Sequence, residues 1–129
     1  MPLTYEDTKD GGILVKGKGV ISAKEIIEIN NDLYRSPENI LKIKYQLWDL
    51  TNVSEILVSS EDINAFAKQD AAAARVNPKM IIAIVASSDL IFGLSRMWEA
   101  YSYNSPFQSM VFRNIEDAEK WIDEIVEKP

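Results

Sequence analysis

The 129-residue chain carries 14 basic and 20 acidic side chains, a formal charge of −6, and has no cysteine and no histidine. The two absences exclude disulfides, Cys/His zinc sites, cysteine nucleophiles and any mechanism that uses imidazole. The acidic balance argues against a sequence-independent grip on nucleic acid, and the length fits one domain, residues 1–129.

The first residues, Met1 to Asp7, hold neither a basic stretch nor an apolar run. The longest apolar run, Met80 to Ala86, is far shorter than the ~20 residues that span a bilayer. Neither an export signal nor membrane insertion is expected, and the expected address is cytoplasmic. Residues 3–8 alternate weakly, and Asp10-Gly11-Gly12 leads into the apolar stretch Ile13–Val20, which predicts a β-hairpin. Gly12 to Gly19 approaches a Walker A pattern, but Gly19 stands where a Ser or Thr should bind magnesium. Gly17 and Gly19 fit a bulge or a close crossing better.

Ser22-Ala23-Lys24-Glu25 forms a capping box with Ile21 and Ile26 at the staple positions, and Ile26, Ile29 and Leu33 continue at helical spacing. Pro37 closes that segment. From Ile43 to Leu50 apolar residues fall on both faces, which predicts an interior strand followed by a loop around Asn52. Ser59 or Ser60 then opens a helix to about Arg75, and Met80–Ala86 reads as the central buried strand. Ser87-Ser88-Asp89 caps a third helix to about Tyr103, Gln108–Phe112 is a short strand, and Asn114 caps the last helix. The order ββαβαβαβα predicts an α/β domain with a mostly parallel five-stranded sheet and four helices.

Three groups of side chains are candidates for function. Asp70 is centred on the apolar helical face of Ile63, Phe66, Ala67, Ala73 and Ala74. A carboxylate buried there is costly unless paired, with Arg75 or Arg96 the available cations. The simpler expectation is that the helix overshoots the sheet and leaves Asp70 in water. In the third helix Leu90, Leu94, Met97, Trp98 and Tyr101 read as the inward stripe, with Phe92, Arg96 and Tyr103 opposite. Aromatic residues around an arginine suit a protein contact, a homodimer included. Ser59 with Asp62 three residues on, and Val58 with Ile63, read as a helix cap and its staple, worth about 1 kcal/mol. Glu61 and Asp62 would repel a phosphate placed there. No metal-ligand spacing, cofactor motif or nucleophile–base pair is visible, so neither metal, cofactor nor enzyme activity is expected.

The stretch Asp49-Leu50-Thr51-Asn52-Val53 followed by Val58-Ser59-Ser60-Glu61 resembles the signature of STAS domains, the family of sporulation anti-sigma-factor antagonists and sulfate-transporter tails. In that family a strand ends in Asp-Leu-Ser-Gly-Val, and a helix starts at Asp-Ser-Ser-Gly-Leu, where one serine is phosphorylated to release a partner. Ser59 and Ser60 fall at the serine positions, while Val58 replaces the acid and Glu61 the glycine. Ala83–Ala86, Phe92–Ala100, Val111-Phe112 and Glu116–Ile122 are similar to the SpoIIAA-like group of bacterial proteins. The resemblance implies a STAS/SpoIIAA-like fold and a regulatory module without enzymatic activity. Its candidate regulatory residues are Asp49, Ser59 and Ser60, and its protein partner is unspecified. The alternative expectation is a binder of an apolar or lipid-like small molecule, in a pocket near the C-terminal strand ends beside Trp48, Asp70 and Arg96.

Overall fold

The computed structural model describes residues 2–126, so residues 1 and 127–129 of the expected domain lie outside the described residues. Strand β1 (Leu3–Asp7) pairs antiparallel with β2 (Gly12–Ser22), as the hairpin pattern predicts. The chain continues through α1 (Ala23–Leu33), α2 (Pro37–Lys42), β3 (Tyr45–Leu57), α3 (Ser60–Val76), β4 (Ile81–Val85), α4 (Asp89–Tyr101), β5 (Gln108–Phe112) and α5 (Ile115–Ile125). The strands lie in the order β1-β2-β3-β4-β5, and every pairing after the first is parallel.

Alternation along the strands sorts the core into two layers. Val15, Trp48, Ile82 and Ile84 face α1, α2, α3 and α4, together with Leu33, Phe66 and Trp98 from those helices. Tyr45, Leu47, Ala83 and Val85 face α5 alone, against Ala118 and Ile122. Among the described residues no helix is long and apolar enough to cross a membrane.

The helix starts follow their sequence signals. Ser22 Oγ accepts from the Glu25 amide at 3.3 Å while Glu25 Oε1 accepts from the Ser22 amide at 3.1 Å, completing the box. Pro37 does not close the first helical region, as expected, but starts a fifth helix. Ser36 caps α2 and Pro37 takes its first turn, where its missing N–H costs nothing and its fixed φ is already helical.

Strand β3 also runs past the loop expected around Asn52. Lys18 to Ser22 of the long β2 offer backbone partners, and Asn52 to Leu57 take them across a register shift between Gly19 and Val20, after an earlier one between Lys16 and Lys18. Gly19, at φ +68°, absorbs the irregularity beside it. At Gly17 a Cβ would stand 2.5 Å from Val53 Cγ2, so the close approach of the two strands requires glycine there.

The inward stripe expected for α4 is rotated by about one residue. Ile91, Ser95 and Trp98 are buried, whereas Leu90, Met97 and Tyr101 are exposed. Ser95 tolerates the interior because its hydroxyl donates to the Ile91 carbonyl at 2.8 Å. Trp98 is held inward by its ring contact with Phe107, centroids 5.9 Å apart, and by the indole bond described below.

Candidate functional site

Gln46 stands between Tyr45 and Leu47 in an interior strand and is completely buried. Such an amide must find partners inside the protein. Its Oε1 accepts from Trp48 Nε1 at 2.8 Å, and its Nε2 donates to the Tyr34 hydroxyl at 2.6 Å. Tyr34, the residue that ends α1, donates in turn to Asp70 Oδ1 at 2.6 Å. The second Asp70 oxygen accepts from Trp98 Nε1 at 2.9 Å. One chain of hydrogen bonds therefore ties β3, the end of α1, α3 and α4 together over one face of the sheet.

Asp70 is 5% exposed, which overturns the expectation that its helix leaves it in water. Nor is its partner a cation: Arg75 is exposed, and Arg96 points outward to pair with Glu99 at 3.0 Å. With neutral donors in place of a cation, burial pushes the Asp70 carboxyl up to about 7, against the pull of the Tyr34 and Trp98 bonds. Burial, and then the facing Asp70 charge, holds Tyr34 well above the usual phenol value.

Beside this network lies a cavity of about 70 Å³, with Trp48, Phe66, Asp70, Ile84 and Trp98 in its wall. Its lining is almost entirely apolar. Ile56, Val58 and Leu94 are the lining residues that keep some solvent exposure, so the mouth opens between the end of β3 and α4. Of the pocket residues expected from sequence, Trp48 and Asp70 line this cavity and Arg96 does not. Tyr34 and Gln46 escaped the sequence reading. Gln46 carried the legible signal, an amide set between Tyr45 and Leu47 in the part of β3 that is apolar on both faces.

Ser59 caps α3: its Oγ accepts from the Asp62 amide at 3.1 Å, and Asp62 Oδ2 accepts from the Ser59 amide at 2.9 Å. Ser60 is exposed in the first turn. Asp49 accepts from the backbone and hydroxyl of Thr51, at 3.1 and 2.6 Å, and is separated from Ser59 by the rest of β3. The structure does not gather Asp49, Ser59 and Ser60 into one cluster. Ser59→Ala is expected to lower unfolding free energy by about 1 kcal/mol with an unchanged far-UV spectrum, as urea denaturation would measure.

The expected interface residues are divided as well. Phe92 is half-buried beneath the Arg113 guanidinium, 3.9 Å from the ring centre. Arg96 and the 86%-exposed Tyr103 line a shallow groove with Ser102 and Phe107. The apolar side chains that α4 turns outward are Leu90, Met97 and Tyr101, at 63, 39 and 47% exposure, with the exposed Gly93 between them. Among the described residues no group of three or more Asp or Glu side chains is placed to hold a metal ion.

The sequence matches no protein-family profile and no curated protein. The fold is similar to the solved structure of the anti-sigma factor antagonist SpoIIAA in its unphosphorylated form. The match has a TM-score of 0.65 at 10% identity and covers 97% of this chain and 99% of that one. At that identity the likeness establishes a shared STAS-type α/β fold.

Proposed function

We propose that this chain is a non-enzymatic STAS-like module that acts by holding a protein partner on the outer face of α4. The observation that carries this reading is the stripe of Leu90, Met97 and Tyr101, apolar side chains left in water on one side of a helix. Exposed contiguous apolar surface of this kind marks contact sites, and Gly93 within it lets another backbone approach closely. Arg96 and Tyr103 flank the stripe and supply side chains favoured in binding hot spots. SpoIIAA, whose fold this chain shares, is an anti-sigma factor antagonist, which supports a role exercised on another protein.

Ser59 enters this reading as a helix cap, since phosphate on it would displace the Asp62 bond and face two neighbouring carboxylates. Phosphate found on Ser59 or Ser60 in protein from its native cell would replace a constitutive contact with a switched one.

A photo-crosslinking side chain at position 97, compared with one at Glu119 on α5, tests the contact. Crosslinking in the native cell is expected to give one discrete protein adduct from position 97 and none from position 119. Equal adducts from both positions would defeat the proposal. Sedimentation of the purified chain separates a second copy from a different protein: a dimer mass assigns the face to self-association.

A further inference from the structure

Strand β3 is 13 residues long and β4 only 5, and the two pair from Tyr45↔Ile81 to Asp49↔Val85. On its other side β3 pairs with β2 as far as Leu57. Asn52 to Leu57 thus have a strand partner on one side and, among the described residues, none on the other. The Thr51 carbonyl, where the open side begins, accepts from Ser87 Oγ at 3.4 Å. A strand edge of unpaired N–H and C=O groups is a template for a further extended segment. A segment laid on this one would continue the line of β4.

The same stretch borders the cavity. Ile56 within it and Val58 just beyond it form the mouth with Leu94 of α4, while Phe66 and Trp98 lie in the wall. Side chains alternate along a strand, so every second residue of an added segment would face this mouth. The volume limits what can enter. A cavity of roughly 150 Å³ takes up benzene, so the 70 Å³ here has room for about half as many carbons, the isopropyl group of a valine.

Charge sets the flanks of such a segment. Glu55 on the open stretch and Glu61 in the first turn of α3 are both exposed, and neither has an ion-pair partner among the described residues. Lys18, opposite Asn52 on β2, has β3 between it and the open edge. The edge therefore favours a segment carrying lysine or arginine.

We propose that the open edge of β3 accepts an extended segment of a partner protein by strand addition, with a valine side chain in the cavity and basic residues beside Glu55 and Glu61. Main-chain hydrogen bonds supply the affinity and the cavity the selectivity. The edge is separate from the outer face of α4 and does not rest on the reading of that face.

The test titrates the isotope-labelled full chain with the capped peptide acetyl-Lys-Thr-Thr-Val-Thr-Thr-Lys-amide. Companion peptides carry phenylalanine for valine, or N-methyl groups on alternate residues in the two opposite phases. Saturable binding is expected to slow exchange of open-edge amides within Asn52–Leu57 at least tenfold. It should shift the Trp98 indole in the cavity wall but not that of Trp121, which packs on Phe112 across the sheet. Only one strand edge of the peptide faces β3, so one N-methylation phase should weaken binding at least tenfold and the other leave it intact. Phenylalanine should bind at least tenfold more weakly than valine because it overfills the cavity. Glu55→Lys, at an exposed position, should weaken binding severalfold at low salt. Absence of saturation, equal losses from both N-methylation phases, or equal affinity for valine and phenylalanine would overturn the proposal. So would shifts confined to Leu90, Met97 and Tyr101, which would place the peptide on the outer face of α4.

Discussion

Replacing Asp70 with asparagine is expected to flatten the pH dependence of stability between pH 4 and pH 7. The carboxyl titrates near 3.8 when unperturbed and is pushed up to about 7 in the folded protein. Between those values the native state holds a proton that the unfolded chain has lost. Stability from this group is thus complete below pH 4, declines as pH rises, and levels off above 7. Each pKa unit corresponds to about 1.36 kcal/mol, so the group accounts for a loss of roughly 4 kcal/mol across the window. An amide cannot ionise, and the Asp70→Asn variant should gain that amount relative to the parent between pH 4 and pH 8. It sacrifices some hydrogen bonding, because an amide presents a donor where Tyr34 and Trp98 also donate. Urea denaturation of both proteins at several pH values measures the difference directly. Parallel stability profiles would mean that Asp70 titrates as an ordinary carboxyl.

Truncation of Trp98 should have the largest effect on stability at any single pH. Trp98→Ala empties a large buried volume against Phe107 and removes one donor to Asp70, with an expected loss of about 3–5 kcal/mol. Trp98→Phe separates the two contributions. It keeps most of the ring packing but leaves Asp70 Oδ2 without its donor, for a loss of about 1–3 kcal/mol. The Trp98 bond pulls the Asp70 carboxyl down, so the phenylalanine variant should also continue to lose stability above pH 7. In a double-mutant cycle, the cost of Trp98→Phe should shrink once Asp70 is replaced by asparagine, because the charge that needed the donor is gone. Additive effects would show that Trp98 contributes through packing alone.

The two results bear on function in different ways. A buried acid without a cation is retained at an energetic cost, here beside an almost entirely apolar cavity. Structural economy alone would have placed an apolar residue there. The network also joins three helices to the sheet and so fixes the orientation of α4, whose other face carries the exposed stripe of Leu90, Met97 and Tyr101.

Local chemistry fixed a large part of this protein. The capping serines at 22 and 59, the Asn114 cap, the two-faced apolar strand around Leu47 and the strand at Gln108–Phe112 all lie where their sequence signals put them. Each signal rests on groups within a few residues of one another, and a short window contains all the physics it needs. The order of those elements was enough to reach a mostly parallel α/β sheet, and the resemblance of residues 49–53 and 58–61 to STAS domains pointed to the particular architecture.

Three other features depended on partners distant in sequence. The second half of β3 is strand only because β2 is long enough to pair with it. The orientation of α4 could not be read from a helix that is apolar almost all round; Asp70, 28 residues earlier, and Phe107 draw Trp98 inward and turn Leu90 and Met97 to solvent. Asp70 itself looked anomalous on its own helix, but its fate was decided by Tyr34, a residue 36 positions away. Composition excluded imidazole and thiol chemistry outright, because an absent residue is absent in every fold. Where the carboxylate went, and the cavity beside it, were decided by tertiary packing, because burial and hydrogen-bond partners exist only once the helices meet the sheet.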